Sequence, residues 1–210
     1  MRDISFDKMY RETPLSGIPW NSETPPMALI ELVVNETVRP CRAIDLGCGA
    51  GNYAIYLASR GFEVTGVDSS PAVIGIAQEN AQKRGVSCRF VVADLLGDLP
   101  EVQDTFGFAY DWALLHHIYP EDRKRYIKNV CRLLDPGALY LSVAFSETDT
   151  LLGGSGKYRT TPNGAILYFS SEAEMRDLLS PHFVIRDLRT IEMIGKLGLY
   201  QAVYVLSERR

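Results

Sequence analysis

The chain has 210 residues, 46% of them hydrophobic and 23% charged, with a formal net charge of −4, which is the composition of one ordinary soluble globular domain with a substantial core. The slight acidity and the lack of any Lys/Arg-rich run argue against a nucleic-acid partner, and no apolar run is long enough to span a membrane. The polar start Met1-Arg2-Asp3 has no apolar signal region behind it, and Cys41, Cys48, Cys88 and Cys131 show no C-x-x-C spacing; read as reduced, buried thiols, they point to a cytoplasmic protein without disulfides or a bound metal.

In the first forty residues Phe6, Tyr10 and Trp20 punctuate a polar stretch broken by Pro14, Pro19, Pro25 and Pro26, and Met27 to Val38 then reads as a helix stopped by Pro40. Residues 1–40 are therefore expected to wrap the core as a cap. Trp20 is either a packing aromatic or the wall of a ligand cleft, where a rigid ring face suits a cation or an apolar group.

Ala43 to Tyr53 joins a short apolar run to Gly47, Gly49 and Gly51 and then opens a helix-period segment, so it reads as strand, tight turn, helix. Glycine permits φ > 0 and lets another molecule approach the main chain. Phe62 to Asp68 is a second strand ending in an acid about twenty residues further on, the place where a doubly wound sheet receives ribose hydroxyls. Asn52 stands where the dinucleotide fingerprint has its third glycine, and Asp45 before the turn suits a cationic amino-acid head better than two phosphates. Ser70 and Pro71 start a helix that stops at Gly85.

Cys88 to Asp94 is a third strand, whose final acid either caps the next turn or meets a ligand. Tyr110 to Leu115 is a fourth, with His116 and His117 at its exit, beside the point where strand order reverses and ligands bind. If strand geometry continues through them, the two imidazoles point opposite ways. Pro120 to Leu134 reads as a helix with Tyr126, Ile127, Val130, Leu133 and Leu134 inward, and Ala138 to Phe145 as a fifth strand. Five such alternations imply a parallel sheet with helices on both faces.

From Ser146 to Phe169 the pattern lapses. Connections of this length are functional lids or disordered, and residues 146–170 are expected to close with Phe6, Tyr10 and Trp20 over one cleft, with Tyr158 and Arg159 touching substrate. Ser171 to Glu174 is a capping box. Phe183 to Met193 and Leu199 to Leu206 are two strands whose short link, Gly195 to Gly198, forces antiparallel pairing.

The segments Asp45-Leu46-Gly47-Cys48-Gly49-Ala50-Gly51, Gly66-Val67-Asp68-Ser69-Ser70, Ala93-Asp94-Leu95 and Leu133-Leu134-Asp135-Pro136-Gly137-Ala138-Leu139, in that order, resemble the class I S-adenosylmethionine-dependent methyltransferases from about Cys41 to Phe145. The flanks resemble the small-molecule branch, which includes thiopurine and tellurite-resistance methyltransferases. The resemblance implies an α/β, Rossmann-like seven-stranded sheet of order 3-2-1-4-5-7-6, with an antiparallel last strand and helices on both faces, in a single domain over 1–210. It implies S-adenosylmethionine as cofactor, held by Asp45, Gly47, Cys48, Gly49, Asn52, Asp68, Ser69, Asp94, Leu95 and Leu114. In that family the position of Asp94 accepts the adenine amino group, Leu95 offers the adjacent amide, and an N-terminal Pro-Trp segment closes over the cofactor.

The implied acceptor is a small molecule bearing a thiol, metalloid, hydroxyl or amine, lined by Tyr10, Trp20, His116, Tyr158 and Arg159, in a monomer or homodimer without nucleic-acid or membrane partners. His116 is assigned to face the methyl group and His117 to be structural, although the motif leaves open which of the two faces the cleft. A soft or ionised acceptor needs no base, whereas a hydroxyl or amine needs a neutral histidine. Two other readings stand beside this one. A nicotinamide-dependent NAD(P) oxidoreductase lacks its third glycine here and leaves Asp94-Leu95 and the terminal hairpin without a role; a catalytically silent cofactor-binding protein would keep the glycine turn with the methyl site blocked.

Overall fold

The computed structural model describes residues 5–210. Its N-terminal cap holds a helix that the prolines conceal: the Ser5 hydroxyl accepts the Lys8 amide and starts α1 (Phe6–Glu12). Next, α2 (Met27–Val34) ends earlier than the expected Val38. Glu36 turns to a φ of 55°, and the Val38 amide bonds back to the Leu32 carbonyl at 3.0 Å, which tucks Val38 into the core.

The repeating part then runs β1 (Arg42–Leu46), α3 (Asn52–Ser59), β2 (Glu63–Asp68), α4 (Pro71–Arg84), β3 (Cys88–Val92), β4 (Phe106–Trp112), α5 (Pro120–Leu133) and β5 (Leu134–Phe145). After it come a small hairpin of β6 (Tyr158–Thr160) and β7 (Ile166–Tyr168), then α6 (Glu172–Leu179) and the long hairpin of β8 (Phe183–Gly195) and β9 (Gly198–Arg209). The main sheet has the order β3-β2-β1-β4-β5-β9-β8. Pairings from β3 through β5 are parallel, and β9 is antiparallel to both β5 and β8. This is the expected 3-2-1-4-5-7-6 pattern, with β8 and β9 as its sixth and seventh strands.

Side-chain alternation along β1 divides the core. Ala43 packs with Leu29 and Leu57 on the side of α2 and α3, whereas Ile44 and Leu46 pack with Ile127, Val130 and Leu179 on the side of α5 and α6. Both faces are thus buried, and strand order reverses between β1 and β4. The carboxyl ends of these two strands form the crevice in which open α/β sheets place their ligands.

The 146–170 connection is braced from within. Arg159, 7% exposed, donates to the carbonyls of Glu147 at 2.7 Å and Gly156 at 3.1 Å and also to that of Asp149, and its guanidinium lies 4.2 Å from the Phe169 ring centre. Buried Asp149 in turn accepts the amides of Leu151 and Gln201 at 3.1 and 2.8 Å.

Candidate active site

Three glycines follow β1, and they are there for two different reasons. All have positive φ: 77° at Gly47, 51° at Gly49 and 77° at Gly51. A Cβ on Gly51 would stand 2.8 Å from Phe90 Cζ, and one on Gly47 would stand 2.9 Å from Leu114 Cδ1, so these two serve close packing. Among the described residues, a Cβ on Gly49 would meet only the Tyr10 hydroxyl, at 3.4 Å. Gly49 is therefore the glycine that opens toward the crevice beneath the cap.

Asp68, at the end of β2, is fastened to this turn. Its Oδ2 accepts the Gly49 amide at 3.1 Å and its Oδ1 the Ser70 amide at 3.0 Å, while burial raises its pKa against those bonds. Asp45 lies beside Tyr110 across β1 and β4. Asp45 Oδ2 and the Tyr110 hydroxyl are both buried without a hydrogen-bond partner among the described residues, and burial is the main cause that lifts Asp45 to about 7. A buried carboxyl with one unpartnered oxygen, under a glycine turn that Asp68 holds, fits a ligand with a cationic amino-acid head and a ribose, as S-adenosylmethionine has.

The remaining expected cofactor contacts are spread around the crevice. Cys48 is buried in the turn, Leu95 is buried after β3, Ser69 is exposed, and Leu114 is half-buried against Gly47. Asp94 is exposed and accepts the Leu96 amide at 2.9 Å, the turn-capping alternative, which leaves its Oδ2 directed elsewhere. Asn52 differs from expectation: its amide donates to Asn21 Oδ1 at 3.1 Å and to the Ser22 carbonyl at 3.0 Å, so the side chain fastens the cap.

Two further fasteners hold that cap. Asp7 Oδ1 accepts the Ser70 hydroxyl at 2.8 Å and the Ala72 amide at 2.9 Å, which docks α1 on the start of α4. From the tip of the β8–β9 hairpin, the Lys196 ammonium donates to the carbonyls of Leu15, Ser16 and Ile18 at 3.2, 3.0 and 2.7 Å. Under the cap, Trp20 Nε1 donates to the Tyr10 hydroxyl at 2.7 Å, and the two rings meet edge to face. Sequence reading missed both Asp7 and Lys196, since a polar side chain bound to main-chain atoms far along the chain leaves no local pattern.

The histidines do not continue β4. Ala113 takes a φ of 64°, and Leu115 to His117 form one turn of 3₁₀ helix, so the rings lie 4.6 Å apart with no alternation of face. His116 is 2% exposed and stacks on Phe145 at 4.1 Å with an interplanar angle of 5°. Its Nδ1 accepts the Phe145 amide at 3.4 Å, which leaves the proton on Nε2. His117 is the partly buried one and meets the cap, edge to face with Phe6 at 5.0 Å. His116 is thus packed within the core, and His117 lies against the cap. Burial pushes His117 down to about 4 and His116 well below its usual 6.5, the latter also through the charges of His117 and Arg123.

The rings join into a column. Phe169 stacks on Phe145, Phe145 on His116, His116 leans on His117, and Phe6 then leads to Trp20 and Tyr10. Of the expected substrate residues, Tyr10, Trp20 and His116 belong to this column. Arg159 does not line the crevice: its guanidinium is spent on carbonyls behind Phe169, where loop carbonyls solvate it in place of water. Tyr158 is 52% exposed and packs instead against Tyr119 and Tyr168.

Residues 43–137 match the family model of a methyltransferase domain. The 2-heptyl-1-hydroxyquinolin-4(1H)-one methyltransferase of Mycobacteroides abscessus is 28% identical over 188 residues, 87% of this chain and 78% of that protein. The probable S-adenosyl-L-methionine-dependent methyltransferase TehB of Haemophilus influenzae is 27% identical over 112 residues, 53% of this chain but only 38% of TehB. Among solved structures, one from a study of the conversion of a disulfide bond into a thioacetal group during echinomycin biosynthesis superposes with a TM-score of 0.81 at 27% identity, covering 97% of this chain and 90% of that one.

Proposed function

The chain is an S-adenosylmethionine-dependent methyltransferase, and on that premise we propose that its acceptor is a small, flat heteroaromatic molecule methylated on a ring-borne oxygen, nitrogen or sulfur. The observation that carries this reading is the unbroken run of rings from Phe145 through His116, His117 and Phe6 to Trp20, which meets Tyr10 over Gly49 at its cap end. Such a wall favours a planar partner by stacked and edge-to-face contacts. The Mycobacteroides relative is named for a heteroaromatic acceptor, which agrees with it.

The cofactor supplies a methyl group already activated on a sulfonium, so the chain's task is alignment and exclusion of water. Asp68 and Asp45 serve the ribose and the ammonium head, Gly49 admits the cofactor to the turn, and Tyr10 and Trp20 cover it. Cys48, Leu95, Ser69, Asp94 and Leu114 border its adenosyl part. His117 presents a neutral imidazole to the acceptor, and His116 holds it from behind. A histidine pushed to about 4 is a weak base, which favours acceptors that are ionised or readily ionised near neutral pH. We read residues 1–210 as one domain acting in the cytoplasm as a monomer or homodimer, without nucleic acid.

The test is mass-spectrometric detection of methylated product from a panel of hydroxyquinolones, heteroaromatic thiols, phenols, aliphatic thiols and tellurite. Turnover on the ring acceptors is expected. Turnover on tellurite or aliphatic thiols alone would overturn the proposal.

A further inference from the structure

Arg123, on the inner face of α5, is 4% exposed, yet its hydrogen bonds all go to uncharged groups. Nε donates to the Ile118 carbonyl at 2.8 Å, one terminal nitrogen to the Leu115 carbonyl at 3.0 Å and the other to the Ser170 hydroxyl at 2.8 Å. The guanidinium lies 4.6 Å from the centre of the Tyr168 ring. Asp111 and Glu174 act on it only at a distance. Asp111, itself fully buried, gives its carboxylate to the hydroxyls of Tyr126, Tyr140 and Ser142.

A guanidinium taken out of water without a carboxylate in contact is expensive, and an aliphatic side chain would fill the same space more cheaply. What the arginine adds is a planar fork with fixed spacing. Leu115 and Ile118, whose carbonyls it holds, stand immediately before and after His116 and His117. That turn has little support of its own: its backbone bonds are His117 N to Leu114 O at 2.8 Å and Ile118 N to Leu115 O at 3.1 Å, and Ala113 enters it at positive φ. The third arm, through Ser170 and Tyr168, reaches the strand that ends the β6–β7 hairpin.

We propose that Arg123 is a positioning residue for methyl transfer: it pins both ends of the His116–His117 turn and couples that turn to the 158–170 segment. Its catalytic consequence rests on the reading above; its effect on the histidine rings does not. Arg123→Lys keeps the charge but loses the planar fork whose three separate nitrogens reach Ile118, Leu115 and Ser170. In that variant the ring resonances of His116 and His117 should shift or broaden in NMR spectra of the cofactor-free protein. The affinity for S-adenosylhomocysteine by calorimetry should stay within about twofold, and kcat on the best acceptor should fall roughly ten- to a hundredfold. Ser170→Ala leaves both carbonyl bonds and should raise the acceptor KM while kcat holds.

Parental histidine resonances together with parental kcat in Arg123→Lys would overturn the proposal, as would a lowered Tm with neither of them changed. If Arg123→Lys does not fold, Ser170→Ala decides, and parental resonances and KM there refute the coupling. If the parent methylates no acceptor, it is the methyl-transfer reading that fails, and the ring resonances still judge Arg123.

Discussion

The Gly49 amide donates to Asp68 Oδ2 at 3.1 Å, so the acid at the end of β2 holds the glycine turn that precedes it by nineteen residues in the chain. One carboxylate therefore shapes the turn and faces the crevice. Asp68→Ala should weaken binding of S-adenosylhomocysteine by about 1.5–3 kcal/mol, through the loss of charge-assisted bonds and of the turn's order. Calorimetry checks this, and an affinity within twofold of the parent with unchanged circular dichroism would remove Asp68 from the site.

The glycines should separate in their response to a methyl group. Gly51→Ala drives a Cβ to within 2.8 Å of the Phe90 ring and should lower stability first. Gly49→Ala meets only an ordinary 3.4 Å contact and the strain of a positive φ, about 1 kcal/mol. It should fold with a near-parental Tm and lose cofactor affinity. Thermal melts and titrations on both proteins test the distinction; equal losses of Tm would erase it.

Asp45 should make stability fall as pH rises. Burial lifts it from 3.8 to about 7, so between those values the folded chain binds a proton that the unfolded chain has released. Stability is then full below the unfolded pKa and declines as pH climbs through the folded one. Ionised at pH 8, the buried group costs about 2–4 kcal/mol. Asp45→Asn should therefore melt higher than the parent at pH 8 and alike near pH 4, and should bind cofactor more weakly once the ammonium has lost its partner. A lower Tm at pH 8 would count against this account.

The histidines act with the opposite sign. Their folded pKa values lie below 6.5, at about 4 for His117, so stability is kept above 6.5 and lost as pH falls toward 4. His116→Ala removes the stack on Phe145 and should cost about 1–3 kcal/mol of stability. His117→Ala should fold well and lose turnover. Should His116→Ala be stable and inactive while His117→Ala is active, the assignment goes back to His116.

Lys196→Met removes three bonds to the cap while leaving the sheet intact. Amide exchange in residues 6–22 should quicken, the dissociation of S-adenosylhomocysteine should accelerate several-fold, and Tm should move little. Exchange in the cap at the parental rate would show that the hairpin tip does not hold it.

What could be read in the sequence was what leaves a local mark. Gly49 and Asp68 stand out because a turn with positive φ needs glycine and because a strand ending in an acid is visible in a few residues. The sheet order was legible through the motifs at Asp45, Asp68 and Asp94, taken with the short Gly195–Gly198 link. The alternation of the two histidines fails because Ala113 breaks the strand with a backbone angle that no side chain announces. Arg159 reads as a substrate contact, yet it lies buried with its guanidinium on the carbonyls of Glu147 and Gly156. Asn52 was read against a fingerprint position, whereas Asn21 and Ser22 of the cap decide its contacts.

The cap is fastened to three separate elements: through Asp7 to the start of α4, through Asn52 to the start of α3 and through Lys196 to the hairpin tip. Residues from the cap, Tyr10 above all, stand directly over Gly49. Traffic through the crevice is then expected to follow a compulsory sequence, in which the nucleoside loads before the cap seats, the acceptor enters a chamber already roofed, and the spent nucleoside departs last. In steady-state inhibition this order has a signature: S-adenosylhomocysteine competes with S-adenosylmethionine alone and is noncompetitive against the acceptor, whereas the methylated product competes with neither.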